Sequence, residues 1–182
     1  MESRRDRRNN RQFEEEKDEL DERVVDITRV AKVVKGGRTF HFRVVAVVGD
    51  NKGQVGLGIG KARTVPDAIG KATERARRAM HAVPLEDSTS PHEVLGRCGG
   101  ARVLLRPATK GTGVIAGGGV RAVLEATGIH DVLTQSLGSA TAVIVFMATM
   151  DALYLWGWVE DVAKARGKPF AEVMPYWRWG QA

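Results

Sequence analysis

Residues 55–63 combine three features that could bind phosphate: a backbone face without side chains, two cations and the start of a helix. Apolar residues alternate with glycines, which predicts a β-strand with one apolar face and one bare face. A glycine within a strand indicates that another backbone or a ligand approaches closely. Lys61 and Arg63 follow, and cations and helix N-termini both attract anions. The bare positions are Gly56, Gly58 and Gly60.

The same stretch fails the two common nucleotide-binding patterns. A dinucleotide fingerprint requires glycine where Lys61 stands, and a P-loop requires Ser or Thr where Ala62 stands. Catalytic and metal-binding patterns are also missing elsewhere, because the four histidines lack the spacing of metal ligands. The single cysteine, Cys98, has no local partner that would mark it as a nucleophile. We therefore expect no enzyme activity, no metal and no cofactor.

One glycine loop, residues 109–119, keeps an alternative open. Gly111, Gly113 and Ala116 match the looser dinucleotide form, and Asp131 lies about 20 residues further on. A nucleotide-dependent enzyme built on this loop is the alternative function. A glycine-rich turn also arises from tight packing alone, so the match is weak.

Positive charge is concentrated in one part of the chain. Residues 23–82 carry 13 Lys and Arg against 4 Asp and Glu, whereas residues 83–182 are balanced. A polyanion partner is the leading explanation, with RNA or DNA ahead of a membrane surface, although a merely soluble basic surface stays open. The N-terminus lacks the apolar core of a signal peptide, and one cysteine fits a reducing, cytoplasmic setting.

The predicted elements form two small α+β domains after a charged tail. In residues 23–83, strand periodicity on both sides of a Gly-Gly turn predicts a hairpin, and the glycine strand and a helix complete a β-β-β-α unit. Thr64 is the expected N-cap of that helix, which we expect to run to about Ala82. The remaining segments are a disordered tail at 1–22, a linker at 84–91, an α/β domain at 92–165 and an extension at 166–182. The tail's arginines could bind nucleic acid or pair with the neighbouring acids.

Within the second domain, residues 142–159 are nearly all apolar. The segment reaches the lower bound for a membrane span. Asp151 lies in its middle, however, and a charge in the bilayer is costly. We expect a helix docked on the second sheet and no membrane contact.

Six motifs in a fixed order then resemble a known family. They are Val-Lys-Gly-Gly-Arg (34–38), Val-Val-Gly-Asp (47–50), the glycine strand with its helix start (55–69), Gly-Thr-Gly-Val-Ile-Ala-Gly-Gly (111–118), Arg-Ala-Val-Leu-Glu (121–125) and Arg-Gly-Lys (166–168). Over about residues 23–170 the chain resembles the bacterial-type small-subunit ribosomal protein number five family.

The resemblance implies a double-stranded-RNA-binding-like first domain and a second domain of the ribosomal and GHMP-kinase type. It implies a structural protein bound to small-subunit ribosomal RNA, near the messenger-RNA entrance and in contact with the fourth and eighth small-subunit proteins. The hairpin 31–38 matches the family's spectinomycin-linked loop. Gly113 and Arg121 match its accuracy-linked positions at the interface with the fourth protein.

On this hypothesis, cations of the first domain contact RNA phosphates, while glycines let the RNA backbone approach closely. Around residues 141–147 the chain departs from the family pattern and is apolar, from which we expect a partner-facing helix exposing Phe146 and Met147. The expected rRNA-binding residues are Arg29, Lys32, Lys35, Gly36, Gly37, Arg38, Gly56, Gly58, Lys61 and Arg63.

Overall fold

A computed structural model describes residues 20–85, 88–157, 159–169 and 172. The tail predicted at 1–22 and the extension predicted at 166–182 lie mostly outside these residues. The described part has two four-stranded sheets and four helices, an α+β fold in two units as predicted. The elements are β1 (Asp21–Val34), β2 (Gly37–Gly49), β3 (Gln54–Ala62), α1 (Val65–Arg78), β4 (His81–Ala82), β5 (Val94–Cys98), β6 (Ala101–Pro107), β7 (Val114–Ile115), α2 (Gly118–Thr127), β8 (Val132–Gly138), α3 (Ala142–Leu155) and α4 (Val159–Arg166).

The first sheet has the order β1-β2-β3-β4, and all its pairs are antiparallel. Thr64 caps α1 as expected, because its hydroxyl accepts a hydrogen bond from the backbone N–H of Asp67. The helix does not reach Ala82, however: it ends at Arg78. His81 and Ala82 instead pair with the edge of β3 at Gln54 and Val55. This pairing gives hydrogen-bond partners to backbone groups of β3 that a longer helix would leave unpaired.

The β1–β2 hairpin extends beyond the rest of the sheet. Arg29, Phe42 and Ala62 form the last row in which all three strands are paired, because β3 ends at Ala62. Residues 30–41 therefore form a two-stranded ribbon that pairs with no third strand of the described structure, and residues 31–40 are all exposed. Gly36 stands at its tip with φ 109°, a conformation that glycine adopts without strain.

The second sheet has the order β5-β6-β8-β7, with β7 parallel to β8. Helices α2 and α3 contribute most of the core on one face of this sheet. Helix α3 lies very close to β5, since a Cβ added to Gly96 would lie 2.1 Å from the carbonyl oxygen of Ala148. Asp151 accepts a hydrogen bond from the backbone N–H of Arg97 at 2.9 Å, which explains a carboxylate in an apolar helix. No helix in the described ranges is both long and apolar enough to cross a membrane.

The expectation that α3 presents Phe146 and Met147 to a partner is half wrong. Phe146 is only 3% exposed and packs into the core beneath Gly119. Met147, the next residue, turns outward and is 39% exposed. A polar residue at 146 would therefore disrupt the fold itself, and it cannot serve as a probe of a partner surface.

The two units share one hydrophobic core. Val45, Val47 and Val55 from the first sheet pack in the same buried cluster as Leu124 and Ile129 of the second unit. The first sheet is thus a middle layer, with α1 on one face and the second unit on the other. Because apolar contact continues across the junction, the units are expected to unfold together.

Candidate nucleic-acid interface

The glycine face of β3 lies beneath helix α1. A Cβ added to Gly56 would lie 2.1 Å from the carbonyl oxygen of Ala76, and one added to Gly58 would lie 1.9 Å from that of Ala72. Both glycines are buried. The strand therefore has the bare face that was predicted, but the atoms that approach it belong to the backbone of α1. The prediction that RNA approaches Gly56 and Gly58 is corrected for this reason.

Five of the predicted cations lie exposed on the ribbon and at the end of β3. Two of them face opposite sides of the ribbon: Arg38 pairs with Val33 and Lys32 with Thr39, and side chains alternate between faces. Across the described parts of the chain, none of the five has an ion pair or a side-chain hydrogen bond. They are Lys32, Lys35, Arg38, Lys61 and Arg63.

Cations on the outer face of α1 are mostly engaged within the protein, unlike those of the ribbon. Arg77 pairs with Glu22 of β1, and Arg78 pairs with Glu74 one turn away. Arg75 donates a hydrogen bond to the carbonyl oxygen of Ile59 at 2.6 Å. The helix face is therefore a weaker candidate for phosphate contact than the ribbon.

Arg43 is a candidate that the sequence argument did not select. It lies directly opposite Lys61 in the β2–β3 register, and its buried Nε atom has no hydrogen-bond partner among the described residues. Like charges directly opposite each other destabilise a strand pair. An anion such as a phosphate would remove that repulsion. The sequence could have indicated Arg43, because apolar and polar residues alternate around it and place it on the polar face of its strand.

The glycine loop at 109–119 closes on a carboxylate of its own unit. Oδ1 of Asp131 accepts hydrogen bonds from the backbone N–H groups of Gly111 and Gly113, at 3.0 and 2.9 Å. Its Oδ2 accepts the hydroxyl of Ser88 at 2.7 Å. Together these hydrogen bonds hold the pKa of Asp131 below its ordinary value, and the bond from Gly113 contributes most. The N–H groups that would cradle a phosphate are therefore already bonded, which removes the support for a nucleotide site.

We expect Asp131→Asn to destabilise the protein at pH 7, because the replacement loses the charge that these donors stabilise. A carboxyl whose native pKa is depressed contributes stability above its unfolded pKa of about 3.9, and this contribution is lost as pH falls through the native value. The stability difference between wild type and variant should thus shrink as pH falls below about 4. Urea unfolding between pH 7 and pH 3 measures it, with Asp161→Asn as the control. A pH-independent difference would contradict the argument.

Arg121 lies at the junction of the two units, and Gly113 lies in the glycine loop of the second unit, so neither is on the ribbon. Nε of Arg121 contacts Oε1 of Glu125 at 2.6 Å, and Oε2 of Glu125 contacts Arg23 of β1 at 2.5 Å. The guanidinium groups of Arg121 and Arg23 lower the pKa of Glu125, and Arg121 has the larger effect. Arg121 also lines a cavity of about 340 Å³ together with Val114, the neighbour of Gly113. Of the two predicted accuracy-linked positions, Arg121 lines the cavity and Gly113 is adjacent in sequence to a residue that does.

The described chain is a two-unit α+β protein, in which a helix-covered antiparallel sheet extends a cationic ribbon and packs on a second unit. Comparisons with known proteins make the assignment specific. Residues 20–84 match the model of ribosomal protein S5, N-terminal domain, and residues 96–166 match that of ribosomal protein S5, C-terminal domain. The chain belongs to the ribosomal protein S5 family, a structural and non-enzymatic family.

Individual proteins of this family are similar to the chain over most of its length. The small ribosomal subunit protein uS5 of Syntrophobacter fumaroxidans is 54% identical over 155 residues, which cover 85% of this chain and 93% of that protein. The protein of the same name from Rubrobacter xylanophilus is 60% identical over 135 residues, covering 74% of this chain and 68% of that protein. The resemblance recognised from six motifs is therefore confirmed.

Proposed function

We propose that the protein is a structural component of the small ribosomal subunit and binds its rRNA through the ribbon and the adjoining end of β3. The observation that carries this proposal is the set of exposed cations without partners in the described structure, beside other cations that are paired. Unpaired cations on a projecting element can bind and neutralise the phosphates of a polyanion. Membership of the ribosomal protein S5 family supports rRNA as that polyanion.

The ribbon's shape supports contact with the RNA backbone. A Cβ added to Gly36 or Gly37 would meet nothing within 4 Å, so the tip is open and narrow. Lys35 and Arg38 flank it, one on each side of the turn. Contacts of this kind go to phosphates, so they fix position without reading sequence. We therefore assign rRNA contact to the ribbon and to the Arg43–Lys61 pair, and leave out Gly56 and Gly58.

The finer assignments follow from the family resemblance. We propose that the protein contacts the fourth and eighth small-subunit proteins near the messenger-RNA entrance and influences translational accuracy. The junction cavity lined by Val114 and Arg121 supports the contact with the fourth protein, because it is also lined by Arg23 and Asn51 and a partner seated there would touch both units at once. The outward face of the second sheet offers apolar side chains for protein contact, among them Ile115, Leu133 and Leu137.

Replacing Lys35 and Arg38 together with alanine is expected to lower rRNA affinity and to flatten its salt dependence. Each lost phosphate contact removes roughly 0.7–0.9 from the slope of log affinity against log salt. The double variant should thus lose between one and two units of slope, measured by filter binding to small-subunit rRNA at several salt concentrations.

The matched control is the double variant Arg78→Ala with Arg106→Ala. It removes the same charge from exposed arginines that are paired with Glu74 and Glu93. This control should keep the wild-type slope. Equal slopes for both double variants would refute the phosphate contacts at the ribbon, because net charge alone would then explain binding.

A further inference from the structure

One aromatic ring on the ribbon is exposed and has an arginine laid across it. Phe40 is 44% exposed, and Cζ of Arg29 lies 3.8 Å from the centroid of its ring. Arg29 pairs with Phe42 in the hairpin register, so it reaches Phe40 diagonally across the two strands. Arginine prefers this position over an aromatic face because the ring's quadrupole attracts the cation.

The neighbouring side chains leave the ring accessible. Directly opposite Phe40 stands Ala31, whose methyl group is too small to cover a phenyl ring. The other diagonal neighbour, Val33, is itself 73% exposed. Within the described residues no third strand covers this part of the hairpin. The ring and the guanidinium therefore form a small exposed planar surface on a projecting element, apolar at the ring and cationic at the guanidinium.

We infer that the Arg29–Phe40 pair is a stacking platform for one unpaired RNA base. This inference rests on the proposed function and adds a second kind of contact to the phosphate contacts. Every base has an apolar π-face, and bases stack on aromatic rings and on guanidinium planes. Bases within a duplex are already stacked on one another, so the platform takes a base from a bulge or a loop.

The charge around the platform favours RNA over a protein partner as its occupant. Residues 30–41 contain four basic or histidine residues and no Asp or Glu. Arg38 lies on the same face of the ribbon as Phe40, and an apolar ring beside an unpaired cation matches a nucleotide, which presents a planar base beside a phosphate. The cations hold the backbone, and the ring then selects RNA that can present a free base.

The test uses the full chain and two RNA probes, a duplex of about 16 base pairs and the same duplex with one bulged 2-aminopurine. Phe40→Leu keeps apolar bulk but removes the ring. We expect it to bind the bulged probe about tenfold more weakly, to lose the quenching of 2-aminopurine fluorescence and to bind the plain duplex as wild type does. Its salt slope should not change, because stacking releases no counterions. Phe40→Tyr keeps the aromatic ring and should bind both probes as wild type does.

The outcomes separate this inference from the proposed function. If Phe40→Leu binds and quenches the bulged probe as wild type does, while the Lys35 and Arg38 double variant still loses slope, the platform is refuted and the phosphate contacts stand. If neither variant changes binding, both are refuted. If Phe40→Leu weakens incorporation into subunits without changing RNA affinity, the ring contacts a protein and the inference is overturned.

Discussion

Gly58→Ala is expected to destabilise the protein by about 3 kcal/mol or more, one of the two largest single-residue effects that we predict. The new Cβ would lie 1.9 Å from the carbonyl oxygen of Ala72 and 2.5 Å from the backbone nitrogen of Ala76. Both obstacles are backbone atoms of α1, so no side-chain rotation relieves the clash. The helix must move away from the sheet, which opens the packing of Val44, Ala46 and Ala68.

Gly70→Ala is the matched control for this change. Gly70 lies in the same helix, is exposed, and would place its Cβ in open space. Alanine is favoured over glycine in a helix interior, so this variant should be stabilised by about 0.5–1 kcal/mol. Urea unfolding followed by circular dichroism measures both. If Gly58→Ala loses less than about 1 kcal/mol, the close approach of α1 to β3 is not essential to the fold.

Gly128→Ala should be the second large effect, because this glycine combines backbone strain with a clash between the units. It ends α2 with φ 93°, a conformation that side chains disfavour. Its Cβ would also lie 2.2 Å from the carbonyl oxygen of Asn51, in the β2–β3 turn of the first unit. We expect a loss of about 3 kcal/mol, of which strain alone accounts for about 1–2 kcal/mol.

Gly167→Ala separates the two contributions. Gly167 follows α4 with φ 62°, and its Cβ would meet nothing within 4 Å, so the variant carries strain without the clash. Its loss should stay near 1–2 kcal/mol, measured by the same urea titration. Similar losses for the two variants would mean that the turn yields to the new methyl group. The junction would then not depend on this contact.

The contact at Gly128 belongs to a larger arrangement in which one unit caps a helix of the other. The backbone N–H of Asn51 donates to the carbonyl oxygen of Ala126, and that of Gly53 donates to that of Thr127, at 3.1 and 2.9 Å. These carbonyls belong to the last turn of α2 and would otherwise lack partners. Gly49 is equally close, since its Cβ would lie 2.0 Å from the oxygen of Ala126. The β2–β3 turn is therefore part of the junction, not a free loop.

Local patterns predicted the elements well where a single signal determined them. Alternation around the Gly-Gly turn predicted the hairpin, and Thr64 predicted the start of α1, because strand period and helix capping are local properties. The end of α1 was misplaced, because the pairing of His81 and Ala82 with β3 is a contact between elements. The outward direction predicted for Phe146 failed for a similar reason. An evenly apolar helix does not indicate which side faces the core.

The sequence by itself determined the family, the two-unit α+β class and the location of the basic surplus, because ordered motifs, periodicity and charge are properties of the chain. Only the tertiary structure decided which cations are free and which are paired with acids distant in sequence, such as Arg77 with Glu22. It also decided what the bare strand face contacts. A glycine pattern shows that a neighbour comes close, but whether that neighbour is RNA or α1 depends on where the following helix folds back. It folds back onto Gly56, Gly58 and Gly60, and for this reason we propose the ribbon and the strand end as the RNA surface.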